Sequence, residues 1–184
     1  MEQKSRSRDA WVTAGFAALG SVGIDKVRVD AIAKTLGVTK GSFYWHFKDR
    51  AEFLDAVVAK WETRGTTEII EEVDAAGLQP EKRARRVWEL ATANGGMPGE
   101  LAIRDWARRD PMIAARVQRV DDRRMLFLRG LFLDLGAAAE EIEPRSLLLY
   151  SLLMGDYLIA TDCAGRARHD ILTAALALVL KTSG

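Results

Sequence analysis

The chain has 184 residues, 48% of them hydrophobic and 29% charged, which is enough for one medium domain or a small domain joined to a larger one. No uninterrupted apolar run is long enough to span a membrane. The opening MEQKSRSRDAW lacks a signal-peptide core, and the single cysteine, Cys163, excludes an internal disulfide framework, so a cytoplasmic protein is expected. Net charge is +1, but residues 1–50 carry nine Lys/Arg against five Asp/Glu and the remainder 18 against 21, the asymmetry expected if only the first part meets phosphate.

A first helix is capped by Ser7 or Asp9, repeats Trp11, Val12, Gly15, Phe16 and Leu19 at helical spacing, and ends at Gly20 to Gly23. Lys4, Arg6 and Arg8 at its start are either phosphate contacts or a tail. In the stretch RVDAIAKTLGVTKGSFYWHF, from Arg28 to Phe47, Val29, Ile32, Ala33 and Leu36 form one apolar stripe of a short helix. Gly37 leaves that helix, Val38 plugs the turn, and Thr39 is placed to cap a second helix with its side-chain oxygen. Phe43 and Phe47 share the inward face of the second helix. At 100° per residue Gly41, Ser42 and Trp45 point outward, with Tyr44 and His46 on the flanks. Ala33 is small where the two helices cross. These features predict a helix-turn-helix.

With Lys48-Asp49-Arg50 and Ala51-Glu52-Phe53-Leu54, the block GVTKGSFYWHFKDR resembles the DNA-binding domain of TetR/AcrR-family transcriptional regulators, over roughly the first third of the chain. The resemblance implies backbone contacts at Thr39, Tyr44, His46 and Lys48, whose donors suit phosphates. Lys40, Gly41, Ser42 and Trp45 are then candidates to face base edges, since lysine donates to guanine and glycine lets the backbone approach the groove floor. Arg28 is placed to reach a flanking phosphate. His46 is otherwise a structural histidine. No metal or cofactor is expected, because His169 is far away in sequence and no ligand-spaced cluster accompanies either histidine. The domain boundary is expected near residue 48, with an effector-binding and dimerisation domain over 49–184.

Asp49 and Glu52 form a capping-box-like pair at the start of a long helix reaching about Ala76, with a bend expected at Thr63-Arg64-Gly65-Thr66-Thr67. In the resembled family this helix transmits ligand binding to the DNA-binding domain. Pro80, Pro98, Pro111 and Pro144 each precede a helical pattern, predicting helices over about 81–94, 99–109, 111–135, 144–163 and 167–181. Asn94 to Gly99 is the clearest loop. No β-alternating segment is present, so the fold class is all-α: a three-helix DNA-binding domain followed by a helical bundle.

The last two predicted helices contain LLLYSLLMGDYLIA and ILTAALALVL, apolar around most of their circumference. Such helices need cover on more than one side. Pairing with a second copy through Leu149, Leu153, Tyr157, Ile171, Ala175 and Leu178 supplies it, as the resemblance also implies. Two copies would place two reading helices about one DNA turn apart on a palindromic operator. The resemblance further implies a small-molecule effector. Trp61, Trp88, Met97, Trp106, Met125 and Phe127 are candidates to line its pocket, with Arg104 and Asp105 as polar anchors, although each also suits an ordinary core. The sequence contains no nucleophile elbow or phosphate loop, so the chain is read as a dimeric, ligand-responsive repressor of duplex operator DNA and not as an enzyme. The alternatives are a small-molecule sensor or carrier that no longer binds DNA and, with no residues to nominate a reaction, a helical-bundle enzyme.

Overall fold

A computed structural model of the chain describes residues 7–93 and 97–181, and the elements among these are helical throughout. Lys4, Arg6 and the predicted loop residues Asn94 to Gly96 lie outside the described residues.

Helix α1 (Arg8–Val22) is capped by Ser7, whose Oγ accepts from the Ala10 amide at 3.2 Å. Asp9, the other cap candidate, instead accepts from Lys60 Nζ at 2.5 Å. The helix continues through Gly20 and stops at Gly23. Gly20 serves packing: a Cβ there would lie 2.8 Å from the Gly99 backbone nitrogen, and one on Gly99 would lie 2.3 Å from Phe16, so each glycine separately lets α1 and α6 (Met97–Ala107) approach closely. After a 3-10 turn, Ile24–Lys26, comes α2 (Val29–Leu36). It closes on Gly37 in the left-handed region (φ 69°, ψ 33°), with Gly37 N–H donating to the Lys34 carbonyl and Val38 N–H to that of Ala33. This double bond pattern satisfies carbonyls the helix would otherwise leave open.

Helix α3 (Arg50–Glu62) starts at the predicted capping pair: Asp49 accepts from the Glu52 amide, and Glu52 accepts from the Lys48 amide, both at 2.8 Å. A π-helical stretch, Thr63–Thr67, separates it from α4 (Glu68–Ala75), at the segment expected to bend. Gly65 and the three β-branched threonines weaken the regular ladder there. Helices α5 (Pro80–Ala93), α6 and α7 (Pro111–Asp134) lie close to their predicted ranges.

The eighth helix differs from expectation. Helix α8 spans Ala139–Leu158, so Pro144 sits inside it and the helix ends short of residue 163. Glu140 and Glu141 favour an earlier start, because acidic groups in a first turn complement the helix dipole. The early end follows from an extended Ile159 and from Cys163 and Ala164, which adopt φ of 55° and 50°. Helix α9 (Arg168–Leu180) closes the described fold.

The chain divides into two compact units, one of Met1–Thr67 with Gly95–Val120, the other of Glu68–Asn94 with Asp121–Gly184. The first therefore gathers α6 and the start of α7 around the N-terminal helices. Its core includes Trp11, Phe43, Phe47 and Phe53, all at most 1% exposed, with neighbouring ring centroids 5.1–5.5 Å apart. The core of the second is built from Val73, Trp88, Leu131, Phe132, Leu149 and Leu176, among others.

Candidate nucleic-acid interface

The segment after Gly37 is held from behind by apolar packing. Phe43 and Phe47 are both 1% exposed, and Phe43 packs edge-on against Trp11 at 5.4 Å and Phe53 at 5.5 Å. Each such aromatic pair contributes roughly 0.5–1.5 kcal/mol beyond its buried area. The predicted second helix is a 3-10 helix, Lys40–Trp45, and not an α-helix. Six residues that include glycine and serine are a poor basis for an i→i+4 ladder, and the tighter turn is the short-segment solution.

The outward face differs from the sequence expectation at two positions. Thr39 occupies the N-cap position, yet its side chain makes no capping bond. Ser42 is 5% exposed, and its Oγ donates to the Thr39 carbonyl at 2.8 Å. A hydroxyl used inside the turn is not presented to a base edge. The hydrogen bond folds the Ser42 side chain back onto its own turn, against the Thr39 carbonyl.

The remaining candidates are at the surface. Tyr44 is 59% and Trp45 72% exposed, and Tyr44 packs edge-on to Phe43 at 5.3 Å, which fixes its ring. Lys40, Gly41 and Lys48 are exposed, and Lys40 and Lys48 have no carboxylate partner among the described residues. His46 is half-buried with its ring 6.3 Å from that of Phe47, and its backbone N–H donates to the Phe43 carbonyl. Arg28 is the exposed N-cap residue of α2, with Nε 3.4 Å from Asp30. A Cβ on Gly41 would meet only Thr39 Oγ1, at 3.8 Å. The protein itself therefore does not require glycine at this position.

One contributor is absent from the sequence reading. Arg50 donates from Nε to the Val27 carbonyl at 3.2 Å and from its terminal guanidinium to the Ile24 carbonyl at 2.8 Å. It thereby ties the first turn of α3 to the loop that leads into α2. Its place in the helical pattern of α3 carries no sign of this role, because both acceptors are backbone atoms more than 20 residues earlier in sequence.

The effector candidates do not converge in either unit. In the first, Trp61 is 2% exposed and its Nε1 donates to Glu100 at 2.6 Å; Arg104 donates to the other Glu100 oxygen at 2.7 Å. Asp105 is exposed and accepts from Arg109 at 3.2 Å. Trp106 lines a surface cleft of about 290 Å³ with Ile24, Asp25, Arg50, Leu54, Arg109 and Asp110. In the second unit Trp88 is 7% exposed, Phe127 packs against the same core and Met125 is half-buried. Met97 begins α6, and its side chain lies outside the described residues.

The dimer candidates also divide. Leu149 and Leu153 are 1% and 6% exposed and belong to the core of their own unit, so they are not available to a second copy. Ile171 and Ala175 are half-buried. Tyr157 and Leu178 are exposed, and so are Leu147, Leu148 and Leu158, which the sequence reading does not name. Residues 147, 151, 155 and 158 follow helical spacing, so the signal is present but shares the α8 sequence with an equally apolar inward stripe.

A left-handed turn between two short helices, backed by an aromatic core and displaying cations and exposed rings, defines a helix-turn-helix protein of all-α class. Residues 12–57 match the family model of bacterial regulatory proteins of the tetR family, so the N-terminal segment is similar to that family's DNA-binding domain. Over 57 residues, or 31% of the chain, it is 33% identical to the HTH-type transcriptional regulator SrpR of Pseudomonas putida. Over 57 residues it is also 33% identical to the uncharacterized HTH-type transcriptional regulator TtgW, again of Pseudomonas putida. The matched segments span only 27% and 42% of those relatives' lengths. The fold is similar along nearly the whole chain to a transcriptional regulator from Rhodococcus sp. Rha1, with TM-score 0.73, 19% identity and coverage of 95% and 94% of the two chains. It is likewise similar to a TetR-like transcriptional regulator from Rhodococcus sp. RHA1, with TM-score 0.65, 18% identity and coverage of 94% and 91%.

Proposed function

We infer that this protein is a transcriptional regulator that binds palindromic duplex DNA as a homodimer and releases it when a small molecule binds. The observation that carries the reading is the surface of the Lys40–Trp45 turn. Lys40 and Lys48 lack carboxylate partners among the described residues, beside exposed Tyr44 and Trp45. Elsewhere Arg83, Arg86, Arg116 and Arg129 are each committed to carboxylates. Uncommitted cations around a short helix with exposed residues are what phosphate attraction requires.

Homodimer formation is supported by the exposed apolar residues Leu147, Leu148, Leu158 and Leu178 on α8 and α9, with Gly155 and Ala174 allowing close approach. Ligand response is the family's implication. The cleft that includes Trp106 and Leu54 offers one apolar wall, bordered by Arg109 and Asp25, against the loop that Arg50 anchors. An effector shifts the equilibrium only by its difference in affinity between the DNA-competent and released states.

The test is selection of duplexes from a random pool by the purified protein, near physiological salt. Enrichment of a two-fold symmetric sequence is the expected result. Binding without enrichment that vanishes at modest salt would reduce the interaction to phosphate attraction and overturn the reading, as would no binding.

A further inference from the structure

We propose that Trp45 reads the 5-methyl group of thymine, so that one thymine in each half of the operator is selected by an apolar contact. This rests on the DNA-binding reading above and adds the chemistry of the contact. The outward positions of the turn are few, and the structure removes two from direct side-chain readout. The Ser42 hydroxyl is buried and donates to the Thr39 carbonyl, and Gly41 has no side chain. Lys40 can donate to acceptors but offers no compact apolar surface at its tip.

Trp45 is the remaining side chain, and it is large. It is 72% exposed and makes no hydrogen bond or ring contact among the described residues, whereas its neighbour Tyr44 is held against Phe43. Indole carries one donor and no acceptor, so most of what it offers a groove is apolar area. The major groove presents hydrogen-bonding atoms and a single apolar group, the thymine methyl. An unpinned indole between phosphate-seeking lysines therefore finds its complementary surface at thymine.

The experiment begins from a duplex selected by the full-length protein. Each thymine is replaced by uracil in turn, which removes the methyl and keeps the hydrogen-bonding edge. One position per half-site is expected to weaken binding about fourfold, and both together about 16-fold, from the loss of one buried carbon at each. Trp45→Ala is expected to weaken binding to the thymine duplex and to become indifferent to uracil at that position, while Trp45→Phe keeps part of the discrimination. The urea midpoints of both variants, expected to match the parent because the side chain is exposed, separate loss of contact from loss of fold. If every uracil duplex binds like the parent, the methyl contact is refuted and specific DNA binding stands. Uracil sensitivity that persists undiminished in Trp45→Ala assigns the methyl to another residue and equally refutes it. Failure to select any duplex removes both the contact and the reading beneath it.

Discussion

Gly37 and Gly41 lie four residues apart in one turn, and alanine at each should damage a different property. Gly37 has φ 69° and ψ 33°, and a Cβ there would meet nothing within 4 Å. The cost of Gly37→Ala is thus conformational: about 1–2 kcal/mol for an L-residue in the left-handed region, less about 0.4–1 kcal/mol because the unfolded chain is stiffened. A net loss near 1 kcal/mol follows, roughly fivefold in the folding equilibrium, and Gly37→Asn should lose less. At Gly41 the backbone is not left-handed, and the added Cβ would sit in ordinary contact with Thr39. Gly41→Ala should leave folding unchanged or raise it by a few tenths of a kcal/mol. If the backbone approaches the groove floor at this point, the same methyl stands between protein and base, and affinity should drop about tenfold or more. Urea unfolding with fitted slopes measures the first property, and DNA titration of the folded fraction measures the second. A Gly37→Ala protein as stable as the parent would refute the conformational argument. A Gly41→Ala protein with full affinity would refute close approach of the backbone.

Much of the fold is legible in the sequence because local chemistry and tertiary packing agree. Gly37 after an apolar stripe, and Asp49 with Glu52 three residues on, are signals complete within a few residues. Pro144 misleads because proline is tolerated in a first turn, which makes it look like a helix start. The three residues Ala139-Glu140-Glu141 form helix readily and extend it upstream. The end of α8 is hidden for a related reason. Cys163 and Ala164 take left-handed conformations that their residue types do not announce, and the Asp162 carboxylate accepts from the Ala164 amide to support them.

At the candidate site, legibility stops where local side-chain hydrogen bonds and long-range partners decide. A uniform 100° per residue turns Ser42 outward, whereas its hydroxyl folds back onto the Thr39 carbonyl and the residue is buried. The roles of Arg50 and of the Trp61–Glu100–Arg104 cluster depend on partners far away in sequence or on the facing of one helical turn. The same ambiguity affects α8, where two apolar stripes coexist and only contacts within the unit show that Leu149 and Leu153 form the inner one.

Lys48→Ala should weaken DNA binding about equally across sequences and reduce the salt slope by about one per bound turn, read from titrations at several salt concentrations; an unchanged slope would remove Lys48 from the phosphate contacts. The Lys60 ammonium donating to Asp9 holds that carboxyl below its usual range, outweighing its slight burial. A folded-state value below the unfolded one gives stability that is present above the usual carboxylate range and lost as pH falls through the folded value. Asp9 is largely exposed, so Asp9→Asn should cost at most about 0.5–1 kcal/mol at neutral pH and nothing in strong acid; equal cost at both would refute the ion-pair account. The apolar residues of α8 and α9 provide an internal control for the dimer: Leu147→Asp with Leu178→Asp alters positions 56% and 74% exposed, whereas Leu149→Asp places a carboxylate at one 1% exposed. The first pair should shift sedimentation from dimer to monomer while helical circular dichroism persists, and the second should unfold its unit by several kcal/mol of uncompensated burial. A parent that sediments as a monomer at about micromolar concentration would refute the two-fold model, because a reading turn without a second copy has no symmetric half-site to match.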